Sequence, residues 1–269
     1  MTRSGIVTLT TDFGYRDAYV ASMKGVILGI HRQAALVDVS HGIRAGAIQE
    51  AANLLCETVP YFPEGTVHLA VVDPGVGGDR RAIAAEANGH LFVGPDNGVF
   101  WPLLQEDPNR VVVHLTESRF FHPPVSRTFH GRDVFAPVAA HLASGRGTGE
   151  MGSPVLNPVV LECPRPEQKE GVLVGEIVRV DRFGNLITNL RRSDVEAFQG
   201  DREPRIEVDD VVVEGLKGCY ADVPRGEILA LFGSSDRLEI SVNGGKASER
   251  LGTPEARLEG LPVRVVPVD

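Results

Sequence analysis

Short apolar runs bounded by turn residues alternate with longer stretches of helical period through the first part of the chain. Residues 5–11, 35–39 and 68–72 read as buried strands, and 17–30 and 47–58 as helices. Runs 82–87 and 90–93 are joined by Asn88-Gly89, which predicts a two-residue hairpin. A strand over 110–115 and a helix over 133–143 follow. Strands alternating with helices predict an α/β domain with a mainly parallel sheet.

The pattern changes at residues 162–171, a polar, proline-bearing segment that reads as a linker. Beyond it lie short strands at 172–180, 205–208, 211–213, 227–232, 238–242 and 263–266, with one helix at 192–198. Glycine turns between short strands predict a small β-barrel or sandwich. The expected division is an N-terminal domain, 1–165, and a C-terminal domain, 171–269.

Composition narrows the function. The 269 residues are 42% hydrophobic and 23% charged, ordinary for a globular protein in water. A net charge of −9 argues against a nucleic-acid surface and fits a small-molecule enzyme, with a cationic substrate favoured. No apolar run approaches the roughly 18 residues of a membrane span. The first residues lead straight into a strand without a signal peptide, so the cytoplasm is expected. Three scattered cysteines, Cys56, Cys163 and Cys219, suggest reduced thiols.

Candidate chemistry gathers at strand ends, where ligands sit in open α/β sheets. Asp12 follows the first strand and Asp73 the third, the latter inside Asp73-Pro74-Gly75-Val76-Gly77-Gly78. Each carboxylate is equally suited to capping a turn. Arg80 lies seven residues after Asp73, and His130 precedes a helix start. An Asp, an Arg and a His brought together can hold and polarise water. In the second half, Asp181-Arg182-Phe183-Gly184-Asn185 offers a carboxylate, a stacking face and an amide, which suits an amino acid or a purine riboside. A glycine turn with an exposed aromatic reads the same residues as well. Ser234 and the strand through Glu239 to Val242 form a third polar cluster, equally a hairpin with a solvated edge. The eight histidines lack ligand spacing, and no Walker loop or GxSxG elbow is present, so no metal site is expected.

Five motifs in order carry a resemblance: Thr10-Thr11-Asp12-Phe13-Gly14, Val72-Asp73-Pro74-Gly75-Val76-Gly77, Gly94-Pro95-Asp96-Asn97-Gly98, Phe129-His130-Gly131-Arg132-Asp133 and Asp181-Arg182-Phe183-Gly184-Asn185. Together they resemble the S-adenosyl-L-methionine (SAM) hydroxide adenosyltransferases, or SAM hydrolases, whose superfamily includes the SAM-dependent fluorinase and chlorinase. The resemblance implies an N-terminal α/β domain, a C-terminal β-barrel and a homotrimer with sites between neighbouring subunits. It assigns water activation to Asp73, Arg80 and His130, and the ribose hydroxyls to Asp12. It gives Asn185 an adenosine contact, Phe183 adenine stacking, and Asp181 and Ser234 contacts to the methionine amine and carboxylate. Ser234, Glu239 and Val242 resemble the adenosine-contacting strand of the hydrolases. The halogenases carry Tyr where this chain has Asp73 and His130, and Arg where it has Ser235.

The implied reaction takes SAM and water to adenosine and L-methionine, with SAM as substrate and no cofactor. Water attacks the ribose C5′ in line with the departing sulfur. A sulfonium leaves without acid assistance, so the protein's task is to place and activate the water. The competing readings are a SAM-dependent halogenase, a non-catalytic adenosine or SAM-binding module, and, more weakly, a metal-dependent phosphohydrolase.

Overall fold

The computed structural model describes residues 2–254 and 257–268. The chain divides into two compact units, Met1–Cys163 and Pro164–Asp269. The first contains β1 (Ile6–Thr11), α1 (Tyr19–Ile30), β2 (Ala35–Ser40), α2 (Ile48–Thr58), β3 (Val67–Val71), β4 (Ala82–Ala87), β5 (His90–Pro95), α3 (Trp101–Leu104), β6 (Val111–Leu115), α4 (Ala136–Ala143) and β7 (Gly152–Pro154). Its seven strands run in the order β2-β1-β3-β5-β4-β6-β7.

This sheet is mixed, not mainly parallel. The pairs β2–β1, β1–β3 and β3–β5 are parallel, whereas β5–β4, β4–β6 and β6–β7 are antiparallel. The Asn88-Gly89 turn dictates the reversal, because two residues cannot carry a strand back to a parallel start. Both residues hold positive φ, 49° and 78°, the geometry of a type I′ hairpin.

Alternating positions along the central strands face two cores. Val7, Leu9, Leu69 and Val71 pack with Met23 and Ile27 of α1 and the apolar body of α4. Ala70, Val72 and Phe92 pack on the opposite face with Ala51 and Leu55 of α2. The sheet is therefore covered on both faces, which explains its near-continuous apolar strands. The helix expected over 133–143 opens as a wide π-turn, Gly131–Phe135, before α4 begins.

The second unit holds β8 (Glu167–Lys169), β9 (Val172–Val180), β10 (Leu186–Arg191), α5 (Arg192–Gln199), β11 (Glu203–Val208), β12 (Val211–Glu214), β13 (Ile228–Phe232), β14 (Arg237–Val242) and β15 (Pro262–Val268). Every pairing is antiparallel, in the order β12-β11-β15-β9-β10-β14-β13, with β8 added beside β9. The end strands β12 and β13 contact each other, so the sheet curls nearly closed around one apolar core.

Two features depart from the pattern reading. Part of the expected linker forms β8, and β10 had no counterpart. Thr188 and Asn189 interrupt the apolar run of β10, yet both are buried and bonded. The Thr188 hydroxyl donates to the Leu238 carbonyl at 2.8 Å, and Asn189 Oδ1 accepts the Glu176 N–H at 2.8 Å.

A buried histidine pair sits in the first sheet. His68 Nδ1 meets Thr8 Oγ1 at 2.9 Å, and its Nε2 meets His90 Nδ1 at 3.2 Å. Burial, reinforced by His90, pushes His68 down to about 3. The fold therefore favours neutral His68, a contribution full above the ordinary value near 6.5 and lost as pH falls toward 3. Its size is on the order of 4–5 kcal/mol at complete titration. Thermal unfolding followed from pH 7 to 4 should show falling stability, with a shallower slope in His68→Gln. An unchanged slope in that variant would assign the acid sensitivity to other groups.

Candidate active site

Parallel pairing brings the two strand-end carboxylates side by side. The register sets Thr11 against Val71, so β1 and β3 leave the sheet together and deliver Asp12 and Asp73 to one edge. Both line an open cleft of about 520 Å³ with Phe13, Tyr19, Ala45, Gly46 and Pro74. Asp12 does not cap α1. Its Oδ2 accepts the Gly46 N–H at 2.9 Å, leaving capacity for further donors. Phe13, Tyr19 and Phe129 form an aromatic trio beside it, with ring centroids 5.1 to 5.9 Å apart and Phe129 edge-on to the other two.

Asp73, Arg80 and His130 meet. Arg80 Nε donates to both carboxylate oxygens of Asp73 at 3.0 Å, and Nη2 donates to Oδ2 at 2.5 Å. The carboxylate thus reaches across its turn and does not cap it. The same Nη2 lies 2.8 Å from His130 Nδ1. A guanidinium has no lone pair, so Nδ1 must be the acceptor and neutral His130 carries its proton on Nε2. Burial first, and then the Arg80 charge, hold His130 below the ordinary imidazole value, against opposing pulls from Asp73 and Asp133. The Arg80 guanidinium also stacks over the Phe135 ring, 5.3 Å from its centroid. Side-chain exposures of 5% for Asp73 and 12% for Arg80 make the pair well shielded, where charged hydrogen bonds are strongest.

Neighbouring groups hold the triad's loops. Buried Asp133 accepts the Ser126 N–H at 2.9 Å, and Ser126 Oγ accepts the N–H groups of Thr128 and Phe129. The segment entering His130 is fixed by these bonds. The glycine loop after Asp73 packs directly upon it, as a Cβ at Gly77 would lie 2.2 Å from the Arg127 carbonyl oxygen.

The second unit gathers its own set. Asp181 Oδ1 accepts the N–H groups of Phe183 and Asn185 at 2.8 and 2.9 Å, and Oδ2 accepts Asn185 Nδ2 at 2.9 Å. Asp181 therefore organises its own loop and fixes the amide of the buried Asn185. Phe183, 72% exposed, presents a free ring face. Ser234 is exposed at the turn before β14. Glu239 is buried, and its Oε1 accepts from Tyr220 at 2.6 Å and Ser241 at 2.7 Å. Val242 is packed into the core, so its side chain is not presented to a ligand.

Tyr220, Gly46 and the aromatic trio were not singled out from sequence. Burial, then Glu239 and Asp181, push the Tyr220 hydroxyl up to about 12. Only Phe13 and Phe129 carried a signal, as flanking residues of Asp12 and His130. Among the described residues, no group of three or more His, Cys, Asp or Glu could hold a metal ion. No helix there is long and apolar enough to cross a membrane.

Comparison with known proteins identifies the family. The SAM hydroxide adenosyltransferase N-terminal domain model matches residues 7–152, and the C-terminal domain model matches 175–257. The chain belongs to the SAM hydroxide adenosyltransferase family. It is 40% identical over 267 residues to an (R)-S-adenosyl-L-methionine hydrolase of Thermus thermophilus, covering 97% of this chain and 99% of the relative. It is 37% identical over 261 residues to the enzyme of that name from Salinispora tropica, covering 94% and 96%. A fluorinase of Actinopolyspora mzabensis is 25% identical over 292 residues, covering 97% and 96%. Among solved structures, an uncharacterized conserved protein from Thermotoga maritima superposes with a TM-score of 0.89 at 33% identity, covering 97% and 99%.

Gly77 tests the loop packing within this family site. Its φ is +75°, and its missing Cβ lets the Asp73 and His130 loops touch. Gly77→Ala should cost about 1–3 kcal/mol by forcing strain and separation, whereas Gly149→Ala, where nothing lies within 4 Å, should be near neutral. Equal melting temperatures for the two variants would show that the loops do not depend on this contact.

Proposed function

We propose that this chain hydrolyses S-adenosyl-L-methionine to adenosine and L-methionine, and that the (R)-sulfonium epimer named in its relatives is the preferred form. The observation that carries the reading is the bonded Asp73–Arg80–His130 set, whose Asp73 lines one cleft with Asp12. Water attacks C5′ as the C5′–S electron pair departs to sulfur, giving neutral methionine thioether. The water then keeps one hydrogen in the 5′-hydroxyl and releases the other.

His130 Nδ1 is occupied by Arg80, and Nε2 already carries a proton. We therefore assign proton acceptance to Asp73, and to His130 Nε2–H a hydrogen bond that orients the water. Arg80 ties the two together and holds the imidazole in its donating tautomer. Asp12 takes the ribose hydroxyls. Asn185 and Phe183 hold adenine, and Asp181 and Ser234 the methionine end. Glu239 and Val242 line the adenosine strand, Val242 through its backbone. We further read the units as an α/β domain, 1–165, and a small β-barrel domain, 171–269. The working form is a cytoplasmic homotrimer with sites between neighbouring subunits, an assembly supported by the family resemblance.

Incubation with resolved SAM epimers in halide-free buffer containing chelator should yield adenosine and methionine. A requirement for halide, with a 5′-halogenated product, would instead indicate a halogenase. Asp73→Asn and His130→Ala should each abolish most turnover while adenosine still binds. His130→Gln should retain part of the activity, because its amide can accept from Arg80 and still donate to water. Burial and Arg80 oppose protonation of His130, so activity should persist down to a pH below 6.5 and disappear as the imidazole protonates. An acid limb above 6.5 would contradict the neutral histidine. Asp12→Ala should weaken adenosine about ten- to hundredfold, from a loss of roughly 1.5–3 kcal/mol. Unchanged affinity in titration calorimetry would place the ribose elsewhere.

A further inference from the structure

The segment carrying Asp12 is tied down on both sides by one buried polar chain. Thr11, fully buried, accepts the Phe13 N–H on Oγ1 at 3.2 Å, and the same oxygen lies 2.8 Å from His41 Nδ1. The His41 carbonyl accepts the Gly14 N–H at 2.7 Å. His41 is itself only 1% exposed, and its Nε2 faces Asp38 Oδ1 at 3.1 Å. Asp38 Oδ2 accepts from Lys24 Nζ at 2.7 Å and from the Tyr15 hydroxyl at 3.0 Å. The Tyr15 ring also meets the His41 ring edge-on, with centroids 5.0 Å apart. Residues 11, 14 and 15 are thus anchored at the end of β2, Phe13 is bonded to Thr11, and Asp12 stands between these anchors.

The Asp38 carboxylate offers only acceptors to His41 Nε2, so a neutral His41 carries its proton there and leaves Nδ1 to accept from the Thr11 hydroxyl. Burial pushes Asp38 up, but hydrogen bonds from Lys24, His41 and Tyr15 outweigh this and hold it below its usual range. A local bulge supports the geometry. The β1–β2 register shifts between Leu9, opposite Asp38, and Thr10, opposite Ser40. Bulges of this kind re-aim side chains near functional sites.

We propose that Thr11, His41 and Asp38 are positioning residues that hold Asp12 in its ribose-binding orientation. None of them touches substrate in this scheme; they act through the backbone on either side of Asp12. The inference rests on the reading that Asp12 binds the ribose hydroxyls. A purely structural role would lower stability alone, whereas a positioning role also changes affinity for the riboside.

The test is Thr11→Val, which keeps shape and removes the hydroxyl, beside Thr11→Ser, which restores it. Adenosine affinity should fall about three- to tenfold in Thr11→Val, the size of one lost buried hydrogen bond, and return in Thr11→Ser. Asp38→Asn should weaken adenosine in the same direction. The KM for SAM should rise with these values while kcat at saturation changes less, since ribose contacts serve substrate and transition state alike. Melting curves on each variant report whether it is folded. A lowered melting temperature with unchanged adenosine affinity in both Thr11→Val and Asp38→Asn would overturn the inference. Asp12→Ala measured in parallel separates the two levels. If Asp12→Ala weakens adenosine and the other variants do not, only the positioning role fails. If Asp12→Ala has no effect, the ribose reading fails with it.

Discussion

A shielded guanidinium without acceptors is too costly to tolerate, and this constraint organises the Asp73–His130 edge of the first unit. Arg80 meets it by donating to both oxygens of Asp73 and to His130 Nδ1. One cation thereby joins residues that are 7 and 50 positions away in the chain. It sets the direction of the carboxylate, selects the tautomer of the imidazole and opposes a positive charge on it. The proposed division of labour between Asp73 and His130 rests on that single contact.

The scaffold makes the contact possible. Parallel pairing of β1 and β3 brings Asp12 and Asp73 to the same edge. The glycine loop after Asp73 lies against the loop that enters His130, where no side chain at residue 77 would fit. Asp133, buried within the π-turn, binds the backbone of that second loop. On the other side of Asp73, the Asp38–His41–Thr11 chain anchors the Asp12 segment. Polar groups that are buried or half-buried therefore hold the cleft from several sides.

The second unit solves a similar problem differently. Asp181 accepts three hydrogen bonds from its own loop and so shapes the segment that carries Phe183 and Asn185. Glu239, buried in β14, is satisfied by Tyr220 and Ser241. The near-closed antiparallel sheet provides the rigid base from which these loops project.

Local pattern determined much of this by itself. Period and turn chemistry located most strands and helices, because burial of one or two faces writes itself into neighbouring residues. Asn88-Gly89 announced its hairpin because few residues adopt two successive positive φ values. The motif order announced the family, and strand-end positions pointed to Asp12, Asp73 and the candidate triad. Tertiary structure decided what depends on partners distant in sequence. It made β4–β6 and β6–β7 antiparallel as well, since strand neighbours are chosen by packing and connection. It revealed β10, whose Thr188 and Asn189 look solvated until their buried partners are seen. It joined Thr11 to His41 and Arg80 to His130, because a hydrogen bond across 30 or 50 residues leaves no local periodicity to read.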